Sequence, residues 1–154
     1  MNKDNYYPFE EVESWAKKHT DIETILPERQ TAHSAGYDFR IKEDLVIYPG
    51  EQKMSATDVK CKIPDGHVLF LIIRSSMGIK KKLSIANQVG VIDSDYYGND
   101  NNDGNIMVAL RNNGTETVYL KAGERVMQGV IVPVFVDNSY ANETRTGGIG
   151  STGV

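Results

Sequence analysis

The stretch Gly90-Val91-Ile92-Asp93-Ser94-Asp95-Tyr96-Tyr97-Gly98 sets two carboxylates one residue apart, between glycines and ahead of two tyrosines. An apolar run entering a Gly-bounded turn predicts a strand leading into a tight hairpin. Positions two apart on a strand share a face, so Asp93 and Asp95 can act side by side. Such a pair can bind a metal, activate a water or hold an arginine. The same residues also compose an ordinary solvated Asp/Gly turn, so the rest of the chain decides.

Around this stretch the signals are those of strands from about residue 30 onward. Leu45–Tyr48 ends at the turn pair Pro49-Gly50. Val59, Cys61 and Ile63 alternate with lysines, predicting a strand with one wet face. Pro64-Asp65-Gly66 turns the chain into His67–Ile73, a nearly continuous apolar run expected to be buried on both faces. Leu83–Ile85, Ile106–Leu110, Thr117–Leu120 and Arg125–Val136 follow, with Pro133 marking an edge or strand end. Short strands at regular spacing predict an antiparallel sandwich or barrel.

The two ends read differently. Pro8–His19 is predicted as a helix, because Phe9, Val12, Trp15, Ala16 and His19 form a stripe at helical spacing. Glu10-Glu11 near its start and Lys17-Lys18 near its end complement a helix dipole. At the other end Gly147, Gly148, Gly150 and Gly153 crowd together with Ser151 and Thr152. Such a segment is expected to be flexible alone, and its backbone N–H groups can wrap a phosphate chain.

Composition narrows the function classes. A chain of 154 residues suits one domain with a sizeable core. A net charge of -4 and a pI near 5.4 argue against broad nucleic-acid binding, which needs a basic face. The single Cys61 excludes an internal disulfide framework and reads as a buried thiol in a reducing compartment. The first residues lack the apolar core of a signal peptide, and no apolar run is long enough to span a bilayer. These features predict a cytoplasmic protein with no membrane partner. His19, His33 and His67 show no metal-ligand spacing.

Four further stretches accompany the opening one: Ala35-Gly36-Tyr37-Asp38-Phe39, Arg74-Ser75-Ser76-Met77-Gly78, Gly123-Glu124-Arg125-Val126-Met127-Gln128, and Arg145-Thr146-Gly147-Gly148-Ile149-Gly150-Ser151-Thr152-Gly153. In order and spacing the five resemble the motifs of the trimeric dUTP pyrophosphatases (dUTPases), over the chain from about Arg29 to its end. The resemblance implies an all-β fold, a distorted jelly-roll or β-clip barrel of the dUTPase type. To this the sequence adds the N-terminal helix and the flexible Gly-rich C-terminal arm. The boundaries expected are 1–28 for an N-terminal helical extension, 29–143 for the β domain and 144–154 for the arm.

The resemblance also implies roles. Asp93 activates the water that attacks the α-phosphate of dUTP, releasing dUMP and pyrophosphate. Tyr96 packs on the deoxyribose and leaves no room for a 2′-hydroxyl. Asn87 and the backbone of Gly90, Val91 and Ile92 read the uracil edge. Arg74, Ser75, Ser76 and Gly78 form the phosphate motif, with Met77-Gly78-Ile79 continuing into a short helix, and Gln128 contacts phosphate. Arg125 and Asp95 are structural partners, and Asp38 is a supporting carboxylate. Arg145 meets the γ-phosphate, while Ile149, Gly150, Ser151 and Thr152 close over the substrate. Mg2+ is carried by the triphosphate and waters, without a protein metal cage. The implied assembly is a homotrimer whose sites combine three chains, with room for a protein partner of unknown identity.

The chain departs from the family pattern in three places. One residue, Thr146, separates Arg145 from Gly147-Gly148, where many members have two, and Ile149 stands where many have Phe. Asn99–Gly104 is an apparent insertion; it faintly echoes a calcium loop but lacks the terminal Glu, so a solvated turn is expected. The N-terminal helix replaces the strand with which many members begin. Two other readings share the fold. A dCTP deaminase needs a glutamate that Ile106–Leu110 does not supply, and a nucleotide-responsive regulatory trimer has no need of Asp93.

Overall fold

The structure, a computed structural model, describes residues 6–137, 145 and 147–149. Its strands are β1 (Phe9–Glu11), β2 (Tyr37–Arg40), β3 (Leu45–Ile47), β4 (Gln52–Ala56), β5 (Val59–Cys61), β6 (His67–Ile73), β7 (Leu83–Ile85), β8 (Gly90–Ile92), β9 (Met107–Asn112), β10 (Val118–Leu120) and β11 (Arg125–Pro133). One α-helix, α1 (Ser75–Lys81), follows β6. Every strand pairing is antiparallel, so the all-β expectation holds. Among the described residues no helix is long and apolar enough to cross a membrane.

The strands form a four-stranded sheet ordered β2-β11-β6-β8, a three-stranded sheet β4-β9-β7, and two pairs, β10-β3 and β1-β5. The long strand β11 is central to the largest sheet. It pairs with β6 from Met127↔Ile73 to Pro133↔His67, and with β2 across a bulge between Arg125 and Met127. Pro133 ends it, as a residue without a ladder N–H should. Alternating residues of the sheets meet in one core that includes Phe39, Leu69, Leu71, Ile106, Leu110 and Val126. Strand β6 buries Leu69 and Leu71 on one face, while on the other Val68 is buried, Phe70 half-buried and Ile72 exposed, so burial on both faces is only partial.

The N-terminal helix does not form. Residues Phe9–Glu11 are a strand, with Phe9 opposite Cys61, followed by a 3-10 turn at Ser14–Ala16. Two interactions outweigh the local helical spacing. The Phe9 ring sits edge-on to Phe39 at 5.4 Å and to Tyr37 at 5.0 Å, an arrangement worth about 0.5–1.5 kcal/mol per pair beyond burial. Backbone amides that a helix would bond internally are instead taken by distant acceptors. Glu13 N–H donates to Asp103 Oδ2, Val12 N–H to the Asp58 carbonyl, and Lys18 and His19 N–H to the Asp58 carboxylate. Phe9, Val12 and Ala16 are buried as the stripe implied, but Trp15 is 58% exposed.

Asp58 is the hub of this clamp. Its backbone lies in the left-handed region at φ 57, and its side chain is fully buried with Lys42 Nζ at 3.1 Å and Asn105 Nδ2 at 2.9 Å. Burial alone raises a carboxyl pKa. Here the donors from Lys18, Asn105, His19 and Lys42 outweigh it and hold Asp58 below its ordinary value.

Candidate active site

The deciding stretch folds as strand and turn. Strand β8 pairs with β6, placing Gly90 opposite Leu71, and a Cβ on Gly90 would sit 2.9 Å from the Leu71 Cβ. Only glycine fits there. After Ile92 the chain enters a 3-10 turn at Ser94–Tyr96 and leaves through a loop to β9, which belongs to another sheet, so the expected hairpin is absent. The reason lies in sheet membership: β8 ends against β6, and β9 takes β4 and β7 as partners.

Asp93 and Asp95 nonetheless act as a pair, through the turn rather than a strand face. Arg145 Nη2 donates to Asp93 Oδ2 at 2.9 Å and Arg145 Nε to Asp95 Oδ1 at 2.8 Å. The guanidinium is largely buried, while both carboxylates are half open to solvent. It also lies 5.7 Å from the centre of the Tyr96 ring. Tyr96 is 5% exposed, and burial pushes its phenol pKa up against the opposing Asn102 hydrogen bond and Arg145 charge. It is therefore a neutral hydroxyl at working pH.

These groups border a cavity of about 560 Å³. Of the expected site residues, Asn87, Gly90, Val91, Ile92, Asp93, Tyr96, Arg145 and Ile149 line it. Its apolar wall comes from Leu71, Ile85, Met107, Ala109 and Met127, with Gln52 and Met54 at one side. Sequence reading missed that wall. Gln52–Ala56 carries no clear β pattern, and its one large apolar residue, Met54, is 56% exposed. Asn87 stands in a sharp turn before Gln88, whose φ is 69, and is exposed toward the cavity mouth.

The phosphate motif lies elsewhere. Ser75 and Ser76 begin α1, as expected, after Arg74 in extended conformation. Arg74, Ser75, Ser76, Gly78 and Gln128 do not line the cavity of the same chain. Asp38, 8% exposed, takes Arg74 Nε at 3.0 Å on one oxygen and Arg125 Nη1 at 3.1 Å on the other. The expected Arg125–Asp95 pair is thus not made within one chain. Register explains it: Arg125 lies opposite Arg40 on β2, two residues beyond Asp38, while Asp95 is taken by Arg145. Gln128 lies opposite Asp38, and its amide packs so close to Gly36 that a Cβ there would overlap Gln128 Oε1. Gly150, Ser151 and Thr152 lie outside the described residues.

The Asn99–Gly104 segment is not a solvated turn. Asn99 and Asp103 are each 5% exposed and Asn105 1%. Asp103 bonds Lys60 Nζ at 2.8 Å, and Tyr96 Oη donates to the Asn105 carbonyl at 2.9 Å. The loop is packed because its polar groups find partners in the N-terminal segment and the 3-10 turn. Among the described residues no three His, Cys, Asp or Glu side chains gather to hold a metal.

The dUTPase family profile matches residues 23–153. The deoxyuridine 5'-triphosphate nucleotidohydrolase of Lactococcus lactis subsp. lactis is 46% identical over 131 residues, covering 83% of this chain and 87% of that protein. The dUTPase of Streptococcus mutans superposes with a TM-score of 0.75 at 42% identity, covering 86% of this chain and all (100%) of that one. A mutant dUTPase from phage phi11 of S. aureus, with a structural Mg(II) ion, has a TM-score of 0.68 at 26% identity; 90% of this chain and 98% of that one are covered.

Proposed function

The chain belongs to the dUTPase family and is a dUTP diphosphatase, and from that premise we propose how its residues divide the work. The substrate is the Mg2+ complex of dUTP, in which the ion spreads phosphate charge. Its uracil enters the cavity between β8 and the Asn87 turn. There, main-chain groups of Gly90–Ile92 and the Asn87 amide supply the donors and acceptors of a pairing edge. The deoxyribose rests on the Tyr96 ring, where a 2′-hydroxyl meets close-packed carbon.

Asp93 holds a water in line with the α-phosphate and takes its proton as the oxygen attacks. The new P–O bond forms as the bond between the α-phosphorus and its bridging oxygen breaks. Pyrophosphate leaves, and the proton passes from Asp93 to solvent. Arg145 is the group that meets the departing phosphates, moving from the carboxylates onto the more highly charged triphosphate. The single observation that carries this reading is the convergence of Asp93, Tyr96, Asn87 and Arg145 on one cavity.

The assembly is a homotrimer with shared sites. This rests on the separation within one chain of the Asp93 cavity from the Arg74–Ser76 motif. A triphosphate held by both needs the second motif from a neighbouring copy. The test is pyrophosphate release with Mg2+ from dUTP, dTTP, dCTP and UTP. Release from dUTP alone supports the reading, and equal release from all four overturns it.

A further inference from the structure

We propose that Asn102 is a positioning residue for sugar selection, acting through the hydroxyl of Tyr96. The inference rests on the assignment of Tyr96 to the deoxyribose, and extends it to a side chain in the loop after the site.

Tyr96 has its ring on the cavity and its hydroxyl in the loop. Asn102 Nδ2 donates to Tyr96 Oη at 3.0 Å, and the Tyr96 hydroxyl donates onward to the Asn105 carbonyl at 2.9 Å. The direction of each bond is fixed by its neighbours. Main-chain N–H groups of Asn101 and Asn102 both point at Asn99 Oδ1, leaving Asn99 Nδ2 to donate to Asn102 Oδ1 at 2.8 Å. Gly104 N–H also donates to Asn102 Oδ1, at 3.1 Å. The Asn102 oxygen is therefore committed to the loop, and only its nitrogen can face Tyr96. The Tyr96 hydrogen in turn has one acceptor, Asn105.

This arrangement pins the far end of the ring at two points. Rejecting a ribose by packing depends on where a ring edge stands to a fraction of an ångström, so an anchor on the hydroxyl sets selectivity without touching the sugar. Asn102 also packs against Gly148, which lines the cavity, since a Cβ on Gly148 would come within 3.2 Å of Asn102 Nδ2. Asn105 extends the frame, donating through Nδ2 to the Ala16 carbonyl and to Asp58.

The experiment compares kcat/KM for dUTP and UTP in wild type, Asn102→Asp, Tyr96→Phe and the double variant. Asn102→Asp keeps the shape and the oxygen facing Gly104, but replaces the donor facing Tyr96 with an acceptor. We expect the dUTP-to-UTP preference to fall roughly tenfold in either single variant, as for one lost hydrogen bond, with kcat for dUTP changed less. The double variant should fall no further than the poorer single one. An unchanged preference in folded Asn102→Asp, or losses that multiply in the double variant, overturns the proposal. If Asn102→Asp does not fold, an unchanged preference in Tyr96→Phe overturns it equally. A wild-type enzyme that does not separate dUTP from UTP overturns the Tyr96 assignment itself, a result distinct from the others.

Discussion

Arg145 Nη2 lies 2.9 Å from Asp93 Oδ2, so the arm's arginine rests on the carboxylate assigned to water activation. The same guanidinium spans to Asp95, and one cation balances two carboxylates. This gives Asp93 and Asp95 separable roles. Asp93→Asn should lower kcat by about 10²–10⁴-fold with little change in KM, the scale of a lost general base. Asp95→Asn should lower kcat/KM by less than that, since it removes only one anchor of Arg145. Steady-state pyrophosphate release checks both; equal losses would assign Asp95 to the chemistry as well.

The proposed sharing of sites between chains predicts complementation. Ser76→Ala and Asp93→Asn proteins, each poorly active, should regain about a quarter of wild-type activity when unfolded together and refolded as random trimers. A site then works when its Asp93 comes from one variant and its Ser76 from the other. No gain on mixing, or full turnover by a stable monomer, would place both motifs in one chain's site.

The buried pair between Lys42 and Asp58 predicts a pH-dependent stability. Asp58→Asn keeps the shape and tolerates φ 57, but leaves the Lys42 charge unpaired, at a cost of about 3–5 kcal/mol. Because the folded-state pKa of Asp58 lies below its unfolded value, its contribution is full above the unfolded value of about 3.9. It is lost as pH falls through the lower folded value. Urea unfolding of wild type and variant should therefore differ by a constant amount from neutral pH down to mildly acidic pH, and converge below it.

Burial pushes the Cys61 thiol up to about 12. At pH 8 the folded protein should react with a thiol-specific disulfide reagent on the order of 10³-fold more slowly than a free thiol. The rate should recover across the urea transition. Fast labelling of native protein would show that the pairing of β1 with β5 opens readily.

Much was legible because it is local. The strand His67–Ile73, the strand end at Pro133, the buried Cys61 and the helix after Arg74 follow from patterning and turn chemistry over a few residues. The motifs also named residues that the fold brings together, since Asn87, Asp93, Tyr96 and Arg145 line one cavity. What the sequence could not carry were outcomes set by distant partners. Phe9–Glu11 has helical spacing, yet becomes a strand because β5, the ring of Phe39 and the acceptors on Asp58 and Asp103 lie ready in space. The Asn99–Gly104 loop reads as solvated, yet Asn99 and Asp103 are buried, with Asp100 and Asn101 left exposed, because Lys60, Tyr96 and the N-terminal segment satisfy the buried polar groups. Asp38 became the partner of Arg74 and Arg125, because strand register, which no local pattern encodes, brings the three together. Sequence thus determined the family and the all-β class of the chain. Tertiary structure decided which charges pair and which polar loop is buried, since both depend on contacts between residues far apart in the chain.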